Sequence, residues 1–228
     1  MRKTSLWHIP CAFFIIASIL NFIGCIQGTA LAATVKPALL PLLSATTLAY
    51  LLGRNVKDYR AVGLLIAAQL FGCTGDVLLI PDGFLFFASG IVAFLIGHIF
   101  YMCLFGGRSW KGLSLKHWII AFVVMLAAVL GLVKAIGIEG AMFWPMLIYG
   151  FGLMMLIFST LAGVIRFGTP TWWILLLGAL LFTFSDSCIA MGTFGVMTFP
   201  LRGFLVMITY LLAQSLLAIG GARLVMGE

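Results

Sequence analysis

The sequence predicts an all-α polytopic membrane protein: a bundle of eight transmembrane helices with both termini cytoplasmic. Three observations carry this. Of 228 residues, 64% are hydrophobic and 8% are charged, against about a quarter charged in a soluble domain. The mean hydropathy is +1.23, more apolar surface than a soluble fold can hide. The apolar residues fall in runs of about 20 that do not alternate, so the spans are helices, not barrel strands. Finally, the basic residues stand singly at the ends of these runs, as orienting charges do.

The runs follow in order along a single integral-membrane domain, 1–228. The first covers about 7–26. Arg2 and Lys3 before it, and Ala30-Leu31-Ala32 after it, imitate a signal peptide; its length suits a retained span instead. The second, 30–52, opens on Lys36-Pro37, where the proline leaves the carbonyl of Ala33 without its helical donor. That is tolerated in a membrane where neighbours or water replace the bond, and it points to a small polar vestibule. The third, 61–80, stops at Pro81-Asp82-Gly83; the fourth, 84–105, stops at Gly106-Gly107. The fifth and sixth cover 117–136 and 142–165. The seventh, 172–191, follows Gly168-Thr169-Pro170, and the eighth covers 202–223.

With the N-terminus inside, ten basic residues lie at inner ends: Arg2, Lys3, Arg54, Lys57, Arg60, Arg108, Lys111, Lys116, Arg166 and Arg223. Two, Lys134 and Arg202, lie at outer ends, and Lys36 lies within a span. This asymmetry sets the orientation and supports an even number of spans. It also argues against nucleic acid as a partner, despite the net charge of +7. The five cysteines are scattered through apolar runs without CxxC spacing. They read as small packing residues, not as a disulfide framework or zinc site.

Against this apolar background a few polar residues stand out. Asp76 and Asp186 lie within spans, where an ionised carboxylate costs roughly 2.5–3.5 kcal/mol. Both occur four or five residues from the outer end of their span, about 6–8 Å below the boundary. Lys36 and Asn21 fall at the same level on two other helices. A lone Lys could snorkel to the interface, but two carboxylates at its depth favour an ion pair or a shared pocket. Gln69, Gly72 and Asp76 share one helix face, and Gly72 and Gly75 allow a close neighbour. Thr183, Asp186 and Ser187 share another face. Ser185 and Ser187 can reach the carboxylate or a substrate, or bond their own helix carbonyls. Further in, His98 and Tyr101 stand at i, i+3, and Tyr210 and Gln214 at i, i+4. One His and two Asp lack the spacing of a metal site, so no metal is expected.

Taken in order, "KP" at 36–37, "GD" at 75–76, "GHIFY" at 97–101, "FSDSCIA" at 184–190 and "TYLLAQ" at 209–214 resemble the YhhN-like lysoplasmalogenase family. The resemblance runs from the second span to the last; the first matches only in kind. It implies an eight-span enzyme that hydrolyses the vinyl ether bond of lysoplasmalogens. The products would be a fatty aldehyde and glycerophosphoethanolamine or glycerophosphocholine. It also implies that Lys36, Asp76, His98, Tyr101, Ser185, Asp186, Ser187, Tyr210 and Gln214 form the site. The chemistry needs no cofactor. Protonation at carbon gives an oxocarbenium ion, and glycosidases use a similar carboxyl pair for an oxocarbenium-like transition state. One carboxyl acts as acid and the other as carboxylate, with Asp186 the favoured acid and Lys36 or His98 holding the other ionised.

The expected partner is a lysophospholipid within the bilayer, reached from the outer leaflet. A bacterial inner membrane suits so compact a chain. Oligomeric state is left open. The second reading is a proton-coupled small transporter, because intramembrane Asp, Lys and His also mark ion paths. Spans three and four loosely echo seven and eight, a repeat that would suit a transporter.

Overall fold

The computed structural model describes residues 6–54, 56–196 and 198–228; Arg2 and Lys3 of the orienting charge set lie outside them. Among the described residues there are eight long α-helices and no strands. They are α1 (His8–Gln27), α2 (Leu31–Leu52), α3 (Tyr59–Leu78), α4 (Phe84–Ser109), α5 (Leu115–Ile136), α6 (Phe143–Phe167), α7 (Pro170–Thr193) and α8 (Arg202–Met226). All eight are long and apolar enough to cross a membrane.

Local chemistry sets the helix ends. Asp58 caps α3, its carboxylate accepting from the Ala61 amide at 2.9 Å. Gly168 ends α6 at φ 62°, a left-handed conformation that favours glycine, and Pro170 opens α7. One expectation is corrected. Gly106-Gly107 does not end α4, which runs on to Ser109. Gly106 instead gives the Trp110 ring room to fold back, since a Cβ there would meet that ring at 2.6 Å. In an apolar surround, two glycines cost less than exposing the backbone groups of a broken helix.

Five helices close a ring: α3 packs on α4, α4 on α6, α6 on α7, α7 on α8, and α8 on α3. α2 lies in the groove between α3 and α8, α1 covers α2 and α8, and α5 packs outside α6. Small residues set the close approaches. A Cβ at Gly97 on α4 would stand 3.0 Å from the Ala68 carbonyl of α3, and Gly163 leaves room for the Trp172 ring. The outside of the bundle is apolar: Ile165 is 79% exposed, and Leu85 and Leu115 are each 75% exposed. Water would penalise such a surface; lipid does not.

Two prolines interrupt α2, Pro37 and Pro41. Pro41 has no amide to give the carbonyl of Pro37. The Cys73 thiol of α3 donates to that carbonyl at 3.5 Å. The carbonyl that Pro37 releases belongs to Ala33, which lines the cavity described next.

The charge asymmetry holds in three dimensions. The end of the bundle that carries the α2–α3, α4–α5 and α6–α7 connections and the end of α8 holds Arg54, Lys57, Arg60, Arg108, Lys111, Lys116, Arg166 and Arg223. The opposite end holds Lys134 and Arg202.

Candidate active site

The ring interior carries the polar residues that stand out in the sequence. Asp76 of α3 is 2% exposed and Asp186 of α7 is 7% exposed. The Lys36 ammonium reaches in from α2 to within 3.3 Å of Asp76 Oδ1. The other oxygen, Oδ2, accepts from the Tyr210 hydroxyl of α8 at 2.7 Å. The Gln214 amide donates to that hydroxyl at 3.4 Å, and the Gln214 carbonyl oxygen accepts from Tyr101 of α4 at 2.9 Å. Four helices therefore converge on one carboxylate. Glycines make the approach possible: a Cβ at Gly72 would stand 3.1 Å from Gln214 Nε2, and one at Gly75 would stand 2.7 Å from the Phe94 ring.

Asp186 has a different partner. Its Oδ2 accepts a hydrogen bond from the Tyr149 hydroxyl of α6, and its Oδ1 is buried with no hydrogen-bond partner among the described residues. Tyr149 is absent from the sequence expectations. A tyrosine in a span serves equally well as interfacial anchor or packing ring, so nothing in "LIYGFG" singled it out. A run of aromatic contacts links the two carboxyl assemblies. Phe182 packs edge-on against Tyr210, with ring centroids 5.4 Å apart, and against His98 at 4.6 Å. His98 in turn lies 5.7 Å from Tyr149.

The serines do not orient Asp186. Ser185 donates to the Val206 carbonyl of α8 at 3.0 Å and Ser187 to the Thr183 carbonyl of its own helix at 2.7 Å. For Ser187 the nearest acceptor is the carbonyl one turn back in its own helix; Ser185 instead ties α7 to α8. His98 is 1% exposed and neither of its ring nitrogens has a hydrogen-bond partner among the described residues, so of the two expected counter-groups Lys36 is the one that reaches an aspartate. Asn21 donates to the Ala32 carbonyl at 2.8 Å, pinning α1 to α2.

Asn21 and Lys36 also line a cavity of about 680 Å³ that opens at the end of the bundle poor in basic residues. Exposed Pro81, Asp82, Gly83 and Phe84 form its rim. Beside it lies a recess of about 20 Å³ lined by Asp186 and Tyr149, with Leu79, Phe87 and Ile189 common to both. The recess has room for roughly one water molecule. Among the described residues no three His, Cys, Asp or Glu side chains stand close enough to share a metal ion.

This arrangement can be compared with known proteins. The profile of the YhhN family matches residues 31–221. The chain belongs to the YhhN family. The match takes in every residue of both carboxyl assemblies and leaves out α1, the span whose sequence resembled the family only in kind. The chain is also 31% identical to "Lysoplasmalogenase TMEM86B" of Mus musculus over 161 residues, 70% of this chain. It spans 64% of the length of that relative. No solved structure matches.

Proposed function

We propose that this YhhN-family protein is an intramembrane lysoplasmalogenase. It hydrolyses the vinyl ether bond of a lysoplasmalogen to a fatty aldehyde and a glycerophospho-amine. One observation carries the reading: Asp186, with an oxygen that has no partner among the described residues, lines a water-sized recess beside a lipid-scale cavity. Asp76, the other intramembrane carboxyl, is already engaged by Lys36 and Tyr210. The name of the mouse relative points the same way.

The roles follow from the partners. Asp186 gives a proton to the outer carbon of the vinyl ether, and the ether carbon becomes an oxocarbenium ion. The carboxylate left behind stabilises that ion and takes a proton from the water that attacks it. The hemiacetal then collapses, breaking the bond to glycerol oxygen and releasing aldehyde and alcohol. Tyr149 holds Asp186 in place throughout. Asp76 and Lys36 supply a fixed, preorganised polar wall, which acts strongly where water is excluded. In this reading the protein works in a bacterial inner membrane with its termini in the cytoplasm; the charge asymmetry of the bundle supports that orientation.

The hydrogen-bonded chain leading inward from Asp76 ends at Tyr101, which stacks on the buried Phe105. That dead end favours a hydrolase over a proton-coupled transporter. The test is purified protein in detergent with a vinyl-ether lysolipid. Release of one aldehyde per lipid is expected, lost in Asp186→Asn. No aldehyde release, or full activity in Asp186→Asn, rejects the reading.

A further inference from the structure

The cavity carries two charges that the hydrolytic chemistry does not use. Arg202, the first residue of α8, and Asp82, in the α3–α4 connection, both line it. Neither pairs with the other, and among the described residues no carboxylate ion-pairs with Arg202. Arg202 is thus a partly exposed guanidinium on the cavity wall, free to receive an anion.

Its position is built. The guanidinium lies on Gly192 of α7, where any Cβ would overlap it. No side chain caps the N-terminus of α8, and Gly203 of its first turn lines the same cavity. The positive end of the helix dipole therefore adds to the charge of Arg202. Gly192 stands six residues beyond Asp186 on α7, about 9 Å along the axis toward the cavity mouth. A glycerol unit separates the vinyl ether of a lysoplasmalogen from its phosphate, so a lipid with its ether at Asp186 carries its phosphate toward Arg202. Asp82, exposed at the rim, lines the same cavity.

We propose that Arg202 and Asp82 form the head-group subsite of the enzyme, Arg202 for the phosphodiester and Asp82 for the ammonium of a zwitterionic lysolipid. The assignment rests on the hydrolase reading above. Arg202 offers a planar, two-pronged donor to phosphate oxygens. Asp82 rewards a head group that ends in a cation over one that ends in bare phosphate.

The experiment compares two substrates on purified protein in detergent: an alkenyl-glycerophosphoethanolamine and an alkenylglycerol without phosphate or amine. The readout is the ratio of their kcat/KM values. Arg202→Gln is expected to lower that ratio by about tenfold or more, mainly through KM of the phospholipid, as loss of a charged hydrogen bond does. Arg202→Lys restores part of it. Gly192→Ala, which keeps the charge but displaces it, lowers the ratio in the same direction. Asp82→Asn reduces the preference for the ethanolamine lipid over its bare-phosphate counterpart. An unchanged ratio in Arg202→Gln, or an equal fall on both substrates, overturns the subsite. If the wild-type protein releases no aldehyde from either substrate, the hydrolase reading fails separately. Calorimetric binding of glycerophosphoethanolamine then decides the subsite: binding lost in Arg202→Gln supports it, and absent or Arg202-independent binding overturns it.

Discussion

Lys36 Nζ stands 3.3 Å from Asp76 Oδ1 within the helix bundle, with the lysine side chain 17% exposed and the aspartate side chain 3% exposed. Each charge makes the other tolerable in a place where neither would be alone. The pair has a consequence for stability that can be separated from activity.

Removing one partner strands the other. Lys36→Met is expected to lower stability in detergent by about 3–5 kcal/mol, as for other buried pairs cut on one side. Adding Asp76→Asn should recover most of that loss in a thermal unfolding experiment without restoring aldehyde release. A double variant no more stable than Lys36→Met contradicts the pairing.

Tyr149 is placed to hold Asp186, and its hydroxyl is the part that matters. Tyr149→Phe keeps the ring against His98 and removes the donor. If Asp186 is the proposed acid, a fall in kcat of about tenfold or more is expected, with KM little changed, because the group acting in the transition state loses its alignment. A fall in KM affinity alone would argue for a role in binding instead.

The close approach of α3 to Phe94 makes Gly75 sensitive. A Cβ there would stand 2.7 Å from the Phe94 ring, which packs edge-on against Tyr210 with centroids 6.1 Å apart. Gly75→Ala should cost about 1–3 kcal/mol through overpacking and lower activity by moving the Tyr210 contact on Asp76. Thermal unfolding and aldehyde release measured on the same sample check both effects.

Much of this was legible in the sequence because the background is so apolar. Each helix was found to within a few residues, since a run of lipid-compatible residues has few other uses. Asp76, Lys36, Tyr210 and Gln214 stood out for the same reason: a polar group in a span needs a partner, and they partner one another. What was hidden depends on geometry that spacing does not encode. Tyr149 is one tyrosine among several, until α6 is seen to bring it to Asp186. Ser185 and Ser187 flank Asp186 in sequence, yet point their hydroxyls at backbone carbonyls. Arg202 counted only as an orienting charge, because Gly192, its seat, lies on a different helix.

The orientation is open to a direct check. In a background with the five cysteines replaced by Ala, single cysteines at Lys111 and Asp82 sit at opposite ends of the bundle. A membrane-impermeant thiol reagent added to intact cells should label position 82 and spare position 111. The reverse pattern would invert the topology and move the cavity mouth to the cytoplasmic leaflet.

The order of partners along the chain bears on how such a protein is made. Lys36 precedes Asp76, and Tyr149 precedes Asp186. Each aspartate thus leaves the ribosome after the group that will accept it. α2 and α3 can enter the bilayer as a neutral hairpin, long before Tyr210 has been synthesised. Asp76, once made, finds its counter-charge already in the neighbouring helix, and Lys36, the one that waits, has the longer and more flexible side chain.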